Sequence, residues 1–515
     1  MWNTSFGWVA VPLVYAVASA LTGSRLVSTR RAWDVGVGAA LANVCVAAAH
    51  GFSVARADVP ALTMLLLVTT VGAIILRFSR RYLDGEPGQK SFVRWFLATV
   101  AAATVLVGSK HLLVLALAWT ATSVSLHQLL MFYGERVEAR AVAHKKFLAS
   151  RVADLAFYGA VAILWERFGT ADIDALGARL ATLGHVPFSV QLAGVLVVVA
   201  VALRSAQLPF HGWLIQVMEA PTPVSALLHA GVVNIGGFLM IRMASMMTHL
   251  EWARGLLVCV GTLTALLAGL VMTTRISVKV ALAWSTCAQM GFMLLECGLG
   301  AYSLALLHLV AHSLYKAHAF LASGRAVEAH RAAVKETVPR PAGVALHGFA
   351  ALLSVATLGA LYTVLTKPLA LPALGEPGTE TPVVLVALAL APLYARAFGP
   401  GRASVRAAMP AIGALLASAY LVAHGLVGRV LAEGPPAPAG LRVAVLVAFV
   451  SSWTLQVMVA RGKDGRLARW LYPAAYAGFY LDDAVTRVAF RIAPPRPERD
   501  ALAPGGALLA EGRAS

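Results

Sequence analysis

RSAQLPFHGWLIQVMEAPTPVSALLHA, residues Arg204 to Ala230, is the stretch around which the rest of the chain can be read. An apolar run before it, FSVQLAGVLVVVAVAL, is close to the length that spans a bilayer. That run ends on a fixed charge, Arg204. Pro209, Pro221 and Pro223 then interrupt the helix, and a second apolar run carries His229. A broken helix beside an intramembrane charge and a histidine is a transport signature. Irregular backbone at membrane depth survives only where it is buried in protein or lines a cavity. The competing reading is an ordinary loop between two spans, with Arg204 snorkelling to the headgroups.

Composition agrees with a membrane setting. Of 515 residues, 59% are hydrophobic and 13% charged, and the mean hydropathy is +0.75. Soluble domains are about 25% charged. The fold class expected is an all-α polytopic membrane protein in one continuous bundle. About fifteen apolar runs can span a bilayer, those after residue 380 being the poorest in pattern. The N-terminus lacks a basic leader and a clear cleavage site, so it reads as a first span. The four cysteines, Cys45, Cys259, Cys287 and Cys297, all lie in apolar runs without a CxxC pair, and no glycine-rich nucleotide loop occurs. No cofactor is expected in this chain.

The net charge of +18 is explained by the loops. Connections after odd-numbered spans, except the broken stretch after the seventh, are basic: Arg25, Arg30 and Arg31; Arg80, Arg81 and Lys90; Arg136, Arg140, Lys145 and Lys146; Arg275; Arg325, Arg331, Lys335 and Arg340; Arg402; Arg461, Lys463, Arg466 and Arg469. Connections after even spans carry few cations. The positive-inside rule then sets the N-terminus outward and makes nucleic acid a poor account of the charge. The expected location is the inner (plasma) membrane of a bacterium.

A second constellation lies in AWSTCAQMGFMLLECGLGAYSLALLHLVAHSLYKAHAFLASG. His308, His312 and Lys316 recur every four residues, on one helix face, each roughly 6 Å from the next. Neutral histidine both donates and accepts, and lysine can store a proton if desolvated, so the spacing suits a proton wire. A metal pair and a set of satisfied core histidines are the alternatives, but Lys316 on the same face would repel a metal. Upstream, Arg151 and Asp154 share a helix face at i,i+3, which an ordinary ion pair would also produce.

SAQLPFHGWL, EAPTPVSALLHA and the H–xxx–H–xxx–K run before FLASG closely resemble the antiporter-like proton-translocating subunits of respiratory complex I and their relatives in cation/proton antiporters. The resemblance covers roughly residues 90 to 330. It implies an antiporter-like fold of about 13 to 15 transmembrane helices, with two broken helices in inverted repeats. It divides the chain into N-terminal helices (1–90), a proton-translocation core (91–330), C-terminal helices (331–460) and an amphipathic, partner-docking tail (461–515). It implies a proton path of Arg151, Asp154, Arg204, Glu219, His229, His308, His312 and Lys316. Lys367 matches an exit-channel lysine of the relatives, although a snorkelling lysine would look the same.

Two positions depart from the complex I pattern. Thr120 stands where a glutamate follows the tryptophan, and Arg204 stands where the relatives carry lysine. Threonine cannot hold a proton near neutral pH and arginine stays charged, so both members of the family's coupling pair are altered. Three functions compete: a subunit of a redox-driven respiratory complex, a subunit of a multi-protein sodium/proton antiporter, and the membrane subunit of a two-component inorganic carbon pump of the DabA–DabB type. Chain length, the altered pair and the tail GFYLDDAVTRVAF favour the last. That resemblance implies transport of bicarbonate or CO2, driven by protons or sodium, with a soluble zinc-bearing partner similar to β-carbonic anhydrase.

Overall fold

The computed structural model describes residues 6–54, 58–325, 344–369, 380–399, 403–461 and 466–494, and no strand occurs among them. Six helices come first: α1 Phe6–Gly23, α2 Thr29–Val54, α3 Val59–Tyr82, α4 Gln89–Gly108, α5 Leu112–Leu130 and α6 Val137–Phe168. A short helix, α7 Ile173–Ala181, leads to α8 Phe188–Arg204. After irregular backbone come α9 Thr222–Arg242, α10 Glu251–Met272, α11 Val278–Leu299 and α12 Tyr302–Leu321. The remainder is α13 Val344–Leu369, α14 Glu380–Phe398, α15 Ala403–Gly428, α16 Ala439–Arg461, α17 Arg466–Tyr476 and α18 Leu481–Ile492. Thirteen of these are long and apolar enough to cross a membrane. α8, at 17 residues, and α12, whose polar face lowers its hydropathy, complete the set of expected runs.

Buried side chains form one large cluster running from Val11 to Phe320, and a smaller one on α13, α14 and α15 around Leu358, Tyr394 and Leu421. Large apolar residues such as Leu13, Leu117, Leu155, Leu263 and Leu415 point outward, as they do where lipid is the solvent.

The break expected after Arg204 is present. α8 stops there, and the chain passes through two short turns, Gly212–Ile215 and Gln216–Glu219, before α9. Within α9, Leu228–Val232 is a π turn, a local widening of the helix that recurs at functional sites. α9 packs closely at Gly236 and Gly237, where an added Cβ would lie 2.0 Å from Ser205 Oγ and 2.1 Å from Met293 Sδ. α12 is continuous, because no proline or glycine falls between Tyr302 and Leu321, so its histidines and lysine stand on an unbroken helix. Pro368, next to Lys367, lies within α13, and residues 370–379 are outside the described set.

α6 extends ten residues before the apolar run that marks it. The segment with Arg140, Lys145 and Lys146, expected as a loop, is therefore helical. The tail folds back on its own chain. Lys145 Nζ lies 3.2 Å from Asp482 Oδ2, Gln216 Nε2 donates to the same oxygen at 2.8 Å, and His144 Nε2 meets the Ala493 carbonyl at 2.8 Å. Gly212 permits this: an added Cβ would overlap Asp482 Oδ1. Asp483 and Arg487 remain exposed.

Candidate functional site

The first group of polar residues gathers where α8 ends against α5 and α6. Arg204 is buried, donates from Nη2 to the Trp119 carbonyl at 2.5 Å, and holds its guanidinium 4.5 Å from the centre of the Trp119 ring. Its Nη1 lies 3.8 Å from Asp154 Oδ1, and Arg151 Nη2 lies 2.8 Å from Asp154 Oδ2. Neither contact is an aligned hydrogen bond, so buried Asp154 is held by charge between two arginines. Asp154 is thus the acid facing Arg204. Thr120 is linked to the Tyr158 hydroxyl at 3.2 Å.

Lys146 is a member that sequence reasoning missed. Lys146, Ser150 and Asp154 recur every four residues on α6, and all three are buried. Lys146 Nζ donates to the carbonyl and hydroxyl of Ser123, at 2.7 and 2.8 Å. Two arginines therefore flank one carboxylate, with Lys146 buried two turns away on the same face of α6. Adjacent Lys145 and Lys146 read as a polar loop in the sequence, and only their helical phase separates one turned inward from one paired with Asp482.

The second group joins α9, α11 and α12. His229 is fully buried in the π turn and stacks on Phe320, with ring centres 4.3 Å apart and planes 18° apart. Both its ring nitrogens lack a hydrogen-bond partner among the described residues. Asn234 Nδ2 donates to Ser313 Oγ at 2.7 Å and fixes α9 against α12. Along α12, the rings of His308 and His312 meet edge to face at 6.1 Å. Lys316 is buried one turn further on, donating to Ser285 Oγ at 2.8 Å and to the Leu282 carbonyl at 3.2 Å. His318 is exposed on another face.

His308 is bonded on both sides, from Nδ1 to Glu296 Oε2 at 2.9 Å and from Nε2 to Gln289 Oε1 at 2.7 Å. Glu296 was also missed. It is a lone, buried carboxylate within the apolar α11, and an intramembrane acid alone could have marked it. Glu219 is half-buried in the turn before α9 and has no ion-pair partner among the described residues. Lys367 is on α13, but its side chain is outside the described set.

This arrangement provides a fixed cluster of charge at the α8 break and a row of titratable groups on α12, with His229 stacked against α12. The family model described as "NADH:quinone oxidoreductase/Mrp antiporter, TM" matches residues 109–338, and that described as "NADH-Ubiquinone oxidoreductase (complex I), chain 5 N-terminus" matches residues 54–93. A relative from Hydrogenovibrio crunogenus named "Probable inorganic carbon transporter subunit DabB" is 38% identical over 84% of this chain and 82% of its own length. One from Halothiobacillus neapolitanus named "Probable inorganic carbon transporter subunit DabB2" is 37% identical over 86% and 81%. Among solved structures, the Mrp complex from Dietzia sp. DQ12-45-1b superposes with a TM-score of 0.57 at 22% identity, over 96% of this chain and 58% of that one, a likeness of fold. The protein is a multi-pass membrane protein with the antiporter-like fold, and it belongs to the DabB family of inorganic carbon transporter subunits.

Proposed function

We propose that the chain is the proton-translocating membrane subunit of an energy-coupled pump for inorganic carbon, working with a soluble zinc-bearing subunit similar to β-carbonic anhydrase. The observation that carries this reading is the row His308–His312–Lys316 on one face of α12, set in a member of the DabB family. Protons exchange along that row through bridging water, each N–H giving its proton to a water that passes one on to the next nitrogen. His229 passes them between α9 and α12, and Lys316 is the storage site against Ser285. Arg204 keeps its charge and sets the field felt by Asp154, Arg151 and Lys146. Membership of a redox-driven complex or of a sodium/proton antiporter is the weaker reading, because Thr120 and Arg204 replace that pattern's proton-exchanging pair.

In this reading the N-terminus faces outward and the basic connections lie in the cytoplasm of a bacterium, where the partner docks. Zinc belongs to the partner and would supply an activated water for CO2 hydration. In this chain the paired histidines share their face with Lys316, a poor setting for a metal. Proton flow then makes hydration one-way by changing the partner's conformation or protonation.

The test is purification of the membrane subunit alone and with a co-expressed zinc-bearing partner, with zinc assayed in each preparation and uptake measured in cells lacking either chain. Zinc is expected only when the partner is present, and uptake only when both are. Stoichiometric zinc in the lone membrane subunit, or uptake without a partner, would leave a self-sufficient transporter instead.

A further inference from the structure

The row on α12 needs a way out of the bundle, and the geometry points to one: we propose that Glu296, Tyr420, His424, Ser303 and Glu433 form a branch carrying protons between His308 and the surface beside Gly300 and Gly434. The inference rests on the reading of α12 as a proton row.

The branch begins at the 2.9 Å contact between His308 Nδ1 and Glu296 Oε2. Glu296 is buried near the end of α11, just before the turn at Gly300. Tyr420 and His424 are one turn apart on α15, with parallel rings 5.9 Å between centres, and α15 packs against α12. The Tyr420 phenol lies within electrostatic reach of both Glu296 and Glu433. At the far side, Ser303 Oγ meets His424 Nδ1 at 3.3 Å and also bonds to Glu433 Oε1. The Ser303 amide donates to the other Glu433 oxygen at 3.4 Å.

Glu433 is exposed, so the last acceptor touches solvent. The segment carrying it is pinned: the Gly434 amide donates to the Gly300 carbonyl at 2.8 Å, and Arg254 Nη2 donates to the Pro435 carbonyl at 2.5 Å. Every member can both give and receive a proton, which is the requirement for relay. In each step a donor N–H or O–H bond breaks as an O–H or N–H bond forms on the acceptor. No electron moves, and Ser303 passes one proton on as it receives another. This end of the bundle is opposite the basic connections. In the orientation proposed above it is the outer face, so inward-moving protons enter at Glu433 and reach Lys316 by way of His308.

The experiment uses the membrane subunit with its partner, reconstituted in vesicles containing a pH-sensitive dye. Glu296→Gln, Tyr420→Phe and Glu433→Gln are compared with Glu433→Asp, with the exposed acid change Glu251→Gln, and with Lys316→Ala. Glu296→Gln and Glu433→Gln should each slow proton flux by at least about tenfold, as loss of a positioned proton-transfer group does. Tyr420→Phe should fall between them and the wild type. Glu433→Asp should restore most of the flux, and Glu251→Gln should not change it. Co-purification of the partner in normal amounts separates loss of relay from loss of fold. Wild-type flux in both glutamine variants, with Lys316→Ala silent, overturns the branch and leaves the proton reading intact. Wild-type flux in Lys316→Ala overturns both.

Discussion

Lys316→Ala is expected to reduce carbon uptake to the level of cells lacking the protein, with normal insertion and abundance. Lys316 is buried on a membrane helix with a hydroxyl and a carbonyl as its partners and no carboxylate within salt-bridge distance among the described residues. A cation so placed is costly unless it serves a function. Removing it should not cost the fold much, because alanine leaves a neutral helix face against α11 and forfeits two hydrogen bonds of about 1 to 3 kcal/mol each. Transport should stop nevertheless, since His312 then has no proton-storing neighbour on its own face. His312→Ala should do the same, by opening the gap between His308 and Lys316 to eight residues, about 12 Å of helix. Uptake assays beside quantitative immunoblots check both variants, and wild-type uptake in the two at normal abundance would remove α12 from the path.

Arg204→Ala should also abolish uptake, with a measurable loss of stability. The guanidinium touches the Trp119 carbonyl, the Trp119 ring and Asp154 together. Alanine leaves the buried Asp154 with Arg151 alone and the carbonyl without its donor. Removing one partner of a buried pair costs about 3 to 5 kcal/mol, reduced here by the remaining arginine. Arg204→Lys should retain a small fraction of the activity. It keeps the charge but cannot lie flat on the indole while reaching both oxygens. Thermal unfolding in detergent and uptake in cells check the order wild type, lysine, alanine. Normal transport by Arg204→Ala would make Arg204 a snorkelling residue and the break at α8 a mere loop.

Much of this architecture was legible because a bilayer imposes simple rules. Each long apolar run became a helix, and the prolines after Arg204 marked the break. Spacing alone put His308, His312 and Lys316 on one face, and put Arg151 beside Asp154. What could not be read depended on helix phase and on distant chain segments. Lys146 and Lys145 are neighbours in sequence, yet one is buried against Ser123 and the other binds the tail. Asp482 holds α18 to its own chain, because the glycine that admits it is far away in sequence at position 212. Glu433 meets Ser303 across a long sequence separation that no local pattern encodes. Glu296 is different: an acid inside an apolar helix was visible in the sequence, and the row of histidines beside it drew the reading away.

The central claim is that protons drive carbon accumulation through this chain. Its most direct test is accumulation of labelled inorganic carbon by membrane vesicles containing both subunits, under an imposed pH gradient or an imposed sodium gradient of equal size. The account predicts accumulation with the pH gradient alone, absent in Lys316→Ala. Accumulation driven by sodium without a pH gradient, or driven equally well in the Lys316→Ala vesicles, would contradict it.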